Sequence, residues 1–245
     1  MNAHVNQFAD IAALNAAAAE TFAAAAVDAV DARSVFSVAL SGGSTPAGLY
    51  ALLATDPGLR RRIPWDNAQI FWSDERHVPP DSPDSNYRMA NATLLSRMTL
   101  RSDQVHRVEA ENPDASAAAK RYEDEIRSAI DRGARVPRLD LLLLGIGSDG
   151  HTASLFPGSP ALAEEHRLVV SNWVEAFGAH RITMTLPMIN AARLVMFLVA
   201  GTEKAAAVRE VLQPSPRSPL LPARLVKPVD GQVIWCLDAA AARLL

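Results

Sequence analysis

Apolar positions along the chain follow two kinds of pattern. Residues 35–40, 68–72, 139–144 and 194–200 are short and almost continuously apolar, with Asp140 the interruption in the third. Runs of this length that stop at glycine or polar residues read as strands buried on both faces. Residues 168–170, 181–186 and 232–237 add three more strands; 181–186 alternates and stops at Pro187. A further short strand is expected at 104–108. Between these lie helical stretches. Residues 6–30 are alanine-rich without internal Gly or Pro, with Phe8, Ile11, Leu14 and Phe22 as anchors, and predict one long helix. Others open at Pro46, at Asn86 (as N-cap) and at Pro113, the last running to Arg132 and closed by Gly133. Shorter helices are expected over 187–192 and 205–212, and a terminal alanine helix capped by Asp238. Residues 56–64, 79–85 and 214–228 read as connections. Strands alternate with helices throughout, without repeat or linker, so a single α/β domain over residues 1–245 with a mainly parallel sheet is predicted.

Composition changes this picture little. With 245 residues, 49% hydrophobic and 21% charged, the chain can bury about 70–75% of its unfolded surface without staples. A net charge of −3 speaks against nucleic acid or an anionic membrane as partner, so any anion must be met by local basic groups. The single cysteine, Cys236, excludes an intrachain disulfide and a cysteine-rich zinc site and reads as packing. The N-terminus lacks a basic segment followed by an apolar one, and no run reaches transmembrane length. A soluble, cytoplasmic protein is the expectation.

Chemistry concentrates where strands end. The 139–144 strand runs into a turn with Gly145, Gly147 and Gly150, then Asp149, His151, Thr152 and Ser154. Ligands of parallel sheets bind at the carboxyl ends of strands, and a histidine there is a candidate general base; an incidental histidine on a tight turn is the alternative. The first strand leads into Ser41, Gly42, Gly43, Ser44 and Thr45 before Pro46. Backbone N–H groups, hydroxyls and a helix N-terminus can hold a phosphate there without a P-loop lysine, or the same residues can simply cap a helix. The 68–72 strand ends in Asp74, Glu75, Arg76 and His77. Arg76 could meet an anion, and the two acids could accept sugar hydroxyls or pair with Arg76. Arg88 follows Asn86, and Lys204 lies one turn into a helix after a buried strand. His77 reads as turn; His106 has no partner cluster and receives no function. The 41–46 loop is neither a Walker A loop nor a G-x-G-x-x-G turn.

Taken together, SGGSTP, SDER with SNYRMA, LLGIGSDGHTASLFPG, RITMTLP, GTEKA, and LPARLVKP with VDGQVIW and its trailing Asp238 closely resemble the 6-phosphogluconolactonases of the oxidative pentose phosphate pathway, over roughly residues 35–238. The resemblance implies a modified Rossmann-like fold shared with glucosamine-6-phosphate isomerase/deaminase and ribose-5-phosphate isomerase. It implies hydrolysis of 6-phospho-D-glucono-1,5-lactone without metal or organic cofactor, by a monomer or weak homo-oligomer whose partner is the small phosphosugar lactone. His151 would be the base, and Asp149 would orient either the imidazole or the loop. Residues 41–45 would cradle the phosphate, with charge from Arg181 and Lys204, for which Arg76 and Arg88 compete. Asp74, Glu75, Asn86 and Gly147 complete the expected substrate-binding set, and glycine-turn amides or Arg76 would meet the developing alkoxide. The isomerase/deaminase relatives carry a glutamate where this chain has Phe156, which removes the carboxylate that ring opening would need. A non-catalytic sugar-phosphate sensor is a further alternative, opposed by His151 and by the lack of room for a helix-turn-helix.

Overall fold

Alternate side chains of each central strand enter different cores, which is why the strand sequences are apolar almost throughout. The computed structural model describes residues 3–130, 133 and 135–245. Six strands form a parallel sheet: β1 (Ala3–Phe8), β2 (Phe36–Leu40), β3 (Ala68–Trp72), β5 (Leu141–Leu144), β8 (Leu194–Val199) and β9 (Gln232–Asp238), in the order β1-β9-β8-β5-β2-β3. A small antiparallel sheet contains β4 (Asp74–Arg76), β7 (Ala179–Met184) and β6 (Val169–Val174), in that order. In β5, Leu141 and Leu143 face one core while Leu142 and Leu144 face the other. The first core is covered by α1 (Ile11–Arg33), α2 (Ser44–Thr55) and α4 (Asn86–Thr93). The second is covered by α5 (Ala115–Ala129), α7 (Ala205–Leu212) and the small sheet. The expected α/β architecture is therefore present, with the antiparallel sheet added.

Helix α1 lays a stripe of Leu14, Ala18, Phe22 and Ala26 against the sheet, all fully buried, with the Phe22 ring edge-on to Phe36 at 5.3 Å. Small alanines let the helix axis approach closely. The expectation that no run reaches membrane-crossing length needs correction: α1, with 23 residues, is long and apolar enough by length and composition. Its buried stripe accounts for that apolarity as a core-helix pattern.

Several boundaries also depart from expectation. The predicted helix from residue 6 begins at Ile11; residues 3–8 are strand β1, paired in parallel with β9, and Asp10 caps α1 by accepting from Ala13 N–H at 2.8 Å. The connection at 56–64 contains α3 (Pro57–Arg62), capped by Asp56. The charged segment after β3 is itself a strand. Residues 104–108 give a single bridge, Val105 to Ile70, after a 3-10 turn over Ser102–Gln104. Ser85, not Asn86, caps α4. The helix expected over 187–192 is a single turn, α6 (Leu186–Ile189). Asp238 holds a turn rather than a helix. The end of α5 predicted at Arg132 lies outside the described residues.

Candidate active site

From β2 the chain moves outward to β3, then returns to add β5 on the other side of β2. The loops leaving β2 and β5 therefore run apart and open a crevice at their carboxyl ends, the place where open α/β sheets bind ligands. A cleft of about 270 Å³ lies there, lined by Ser41, Gly42 and Gly43 from the first loop and Gly145, Ile146, Gly147, His151 and Ala153 from the second. Asp74, Arg76, Asn86 and Lys204 complete its wall. A larger cavity of about 1040 Å³ touches Arg138 and Asn190, ahead of β5 and β8 at the opposite edge of the sheet. Its Arg127 is paired with Glu123, and Arg138 donates to the Ala191 and Asp230 carbonyls, so the chemistry is assigned to the smaller cleft.

The first loop is held from below. Tyr50 is fully buried, and its hydroxyl accepts from Ser41 N–H and donates to Ser41 C=O, both at 2.9 Å. Gly43, at φ 106°, turns the chain into α2, whose N-terminus receives no side-chain cap. The amides there remain available to an anion. Ser41 Oγ is buried with no partner among the described residues, a group that asks for an acceptor or donor from the cleft. Gly42 is obligatory for a different reason: a Cβ there would sit 1.9 Å from Asn86 Oδ1. Asn86 is oriented by Nδ2 donating to the Asp74 carbonyl at 2.9 Å. Ser44 is exposed and Thr45 half-buried at the first turn of α2, and neither reaches the cleft lining.

In the second loop, His151 Nδ1 lies 2.6 Å from Asp149 Oδ1, and Asp149 also accepts from His151 N–H at 3.1 Å. The carboxylate fixes Nδ1 as the protonated nitrogen and leaves Nε2 as the acceptor. Phe156 packs against the imidazole, ring centroids 4.3 Å apart. Gly147 admits the pair: its Cβ would lie 2.1 Å from His151 Nδ1 and 2.5 Å from Asp149 Oδ1. The next turn is strained, with Ala153 at φ 47°, and is tied down by Thr152 Oγ1 donating to Gly145 C=O. Two amides expected to meet an alkoxide are engaged within the loop, Gly147 N–H on His151 C=O and Gly150 N–H on Gly147 C=O.

The two acids after β3 serve the frame. Asp74 is buried and accepts from Ser154 Oγ at 2.6 Å, while Ser154 N–H donates to Thr183 Oγ1. Glu75, 2% exposed, accepts from the Arg76, Asn86 and Tyr87 amides and from Ser85 Oγ. It neither lines the cleft nor ion-pairs with Arg76. The expectation that it holds substrate is therefore corrected: Glu75 is the anchor of the α4 N-terminus, and burial raises its pKa above the ordinary glutamate value. Arg88 is exposed on α4, outside the cleft.

Arg76 and Arg181 face each other in register across β4 and β7. Neither has a carboxylate partner among the described residues, and each has a buried Nε without an acceptor. Burial, then the Arg76 guanidinium, lower the Arg181 pKa. Two cations so placed favour an anion between or beside them. Lys204 reaches the cleft from the turn after β8, where Gly201 N–H is gripped by both oxygens of Asp238. Among the described residues, no group of three or more His, Cys, Asp or Glu side chains could hold a metal ion.

Sequence patterns missed Tyr50, Ile146 and Ala153. Tyr50 occupied an ordinary core position of α2, and nothing in H-T-A-S signals a positive φ at Ala153. His106, expected to lack partners, is buried between Glu125 and Gln69, each 2.6 Å away, and stacked on Phe71. His77 meets Asn112 C=O, as a turn residue would. Cys236 is buried in β9, where burial pushes its thiol up to about 11.

The glucosamine-6-phosphate isomerase/6-phosphogluconolactonase family model matches residues 9–235. A 6-phosphogluconolactonase of Nostoc sp. is 41% identical over 84% of this chain and 83% of its own. The solved structure of 6-phosphogluconolactonase from Trypanosoma cruzi superposes with a TM-score of 0.86 at 31% identity, covering 99% of this chain and 96% of that one. A monomeric glucosamine-6-phosphate deaminase shares the fold, with a TM-score of 0.80 at 22% identity over 99% of this chain and all of its own. On sequence and architecture alike, the chain belongs to the glucosamine-6-phosphate isomerase/6-phosphogluconolactonase family.

Proposed function

We propose that this chain hydrolyses 6-phospho-D-glucono-1,5-lactone to 6-phosphogluconate in the cytoplasm, with His151 as general base. The observation that carries the reading is the Asp149–His151 pair, 2.6 Å apart, in a cleft that also holds a helix N-terminus without a side-chain cap and Arg76 and Lys204, neither of them ion-paired with a carboxylate among the described residues. The named relatives support the substrate class.

In this reading the Ser41–Gly43 loop, the first amides of α2 and Lys204 hold the phosphate, with Arg181 adding charge from beside Arg76. His151 Nε2 takes a proton from water as its oxygen bonds to the lactone carbonyl carbon. Arg76, in the cleft wall, stabilises the alkoxide. Collapse breaks the carbon–ring-oxygen bond, and the imidazolium returns its proton to the departing oxygen. A positioned base contributes about 10²–10⁴ in rate; orientation supplies more. Phe156 on the imidazole leaves His151 without the second carboxylate that amino-sugar ring opening would use.

The test is turnover of freshly made phospholactone, coupled to 6-phosphogluconate dehydrogenase, with spontaneous hydrolysis subtracted. His151→Ala should stay folded, bind product and lose most of kcat. Full turnover by that variant would remove His151 as base. Conversion of glucosamine 6-phosphate instead would reassign the reaction.

A further inference from the structure

The hairpin joining β6 to β7 carries a side chain that burial does not explain. Its turn is the 3-10 segment Glu175–Phe177 followed by Gly178 at φ 54°, which sends β7 back along β6 and sets Asn172 opposite Arg181. Phe177 at the tip is 57% exposed. Its ring lies beneath the Arg181 guanidinium, 4.9 Å from centroid to Cζ, and 6.0 Å from the Phe156 ring. Phe156 in turn leans on His151. A continuous line of contacts therefore runs from a cation without a carboxylate partner to the imidazole.

We propose that Phe177 is a positioning residue for the anionic end of the substrate: its π-face fixes the Arg181 guanidinium, and through Phe156 ties that anchor to the wall behind His151. This rests on the lactonase reading above. The chemistry favours it. A guanidinium over an aromatic face is attracted by the ring quadrupole. Arg181 Nε has no hydrogen-bond acceptor among the described residues, which leaves the Phe177 ring as the contact that can hold the plane of the guanidinium. A flat face restrains that plane yet leaves the guanidinium edge free for oxygens, as a carboxylate partner would not. The phosphate end of a substrate would then meet a cation already oriented.

The experiment compares kcat/KM for 6-phospho-D-glucono-1,5-lactone and for D-glucono-1,5-lactone, both followed by acid release with a pH indicator. The ratio of the two isolates recognition of the phosphate. Phe177→Ala should lower the ratio about two- to fivefold, mainly through KM, the size of an exposed cation–π contact. Phe177→Tyr, which keeps the π-face, should restore it. Phe177→Leu, which keeps only apolar bulk, should not. In an Arg181→Ala background, Phe177→Ala should add nothing. An unchanged ratio in Phe177→Ala, equal rescue by Leu and Tyr, or fully multiplicative effects with Arg181→Ala would each overturn the proposal. If the wild-type protein hydrolyses neither lactone, the lactonase reading fails. The role of Phe177 is then decided by calorimetric binding of 6-phosphogluconate against gluconate: weakening confined to the phosphorylated acid in Phe177→Ala supports it, and no change refutes it.

Discussion

Adding one methyl group at Gly147 should disable the base while leaving the fold intact. A Cβ there would stand 2.1 Å from His151 Nδ1 and 2.2 Å from Cε1, where ordinary contact begins at 3.4 Å. The imidazole must therefore retreat by about 1.3 Å, the difference between 3.4 and 2.1 Å, and its 2.6 Å hydrogen bond to Asp149 opens. Misplacing a reacting group by about 1 Å costs on the order of 10²-fold, and the whole base contribution is about 10²–10⁴. Gly147→Ala should thus lower kcat by at least about 10²-fold, or roughly 2.7 kcal/mol of transition-state stabilisation, without falling below His151→Ala. Gly147 is not among the residues with positive φ, so alanine meets no backbone strain. The atoms displaced belong to side chains 30% and 49% exposed. Melting should accordingly shift by no more than about 4 °C, equivalent to about 1 kcal/mol for a chain of this size. The assay is coupled phospholactone turnover beside a thermal melt. In a His151→Ala background the same methyl has no base left to displace and should change nothing. A folded Gly147→Ala protein retaining kcat within about threefold, far less than the loss argued from misplacement, would refute the reasoning.

Other perturbations separate the roles of the frame. Tyr50→Phe removes the hydroxyl that serves both Ser41 N–H and C=O; chemical denaturation should show a loss of about 1–3 kcal/mol with a raised KM, and wild-type values of both would deny the loop its brace. Lys204→Ala should raise KM about ten- to hundredfold, as loss of a charge-assisted contact predicts, with kcat at saturation retained; an unchanged KM removes Lys204 from phosphate binding. Glu75→Gln isolates a pH effect. Because the folded pKa of Glu75 is raised, the folded state binds the extra proton, and this stabilisation is present below the unfolded value and lost as pH rises through the folded one. The melting temperature of wild type minus that of Glu75→Gln should therefore fall as pH is raised from about 4 toward 7, starting near the ordinary glutamate pKa; a difference that rises would reverse the assignment of burial as the dominant cause.

What the sequence made legible was local. The runs at 68–72 and 205–212 match β3 and α7 residue for residue, because each is bounded by polar or turn residues that leave no choice of end. The loops at 41–43 and 145–151 were visible for the same reason, as glycine-rich breaks after buried strands. Partnerships formed across the fold were not visible. Strand β1 exists because β9 offers it an edge more than 200 residues away, so alanine propensity alone extended α1 backward over it. Asp74 finds Ser154 across 80 residues, and Glu75 finds the α4 amides only after the 77–84 loop has turned back. Both acids therefore read as charge available to a ligand, when Glu75 is a buried part of the scaffold and Asp74, which does line the cleft, is also bound to Ser154. Among the cations, proximity in space also decided: Arg181 sits beside Arg76 through strand pairing, whereas Arg88, near Asn86 in sequence, is exposed outside the cleft.

The cations that stand without carboxylates have a thermodynamic side. Arg76 and Arg181 repel each other across the β4–β7 pair, and the α2 amides beside Gly43 have no side-chain cap. An anion that settles there relieves the folded state and has no equivalent seat on the unfolded chain. By mass action it raises the free energy of unfolding by about 2.7 kcal/mol at a hundred times its dissociation constant. Under the proposed function phosphorylated sugar acids are such anions, and saturating 6-phosphogluconate should therefore slow proteolysis of the folded chain.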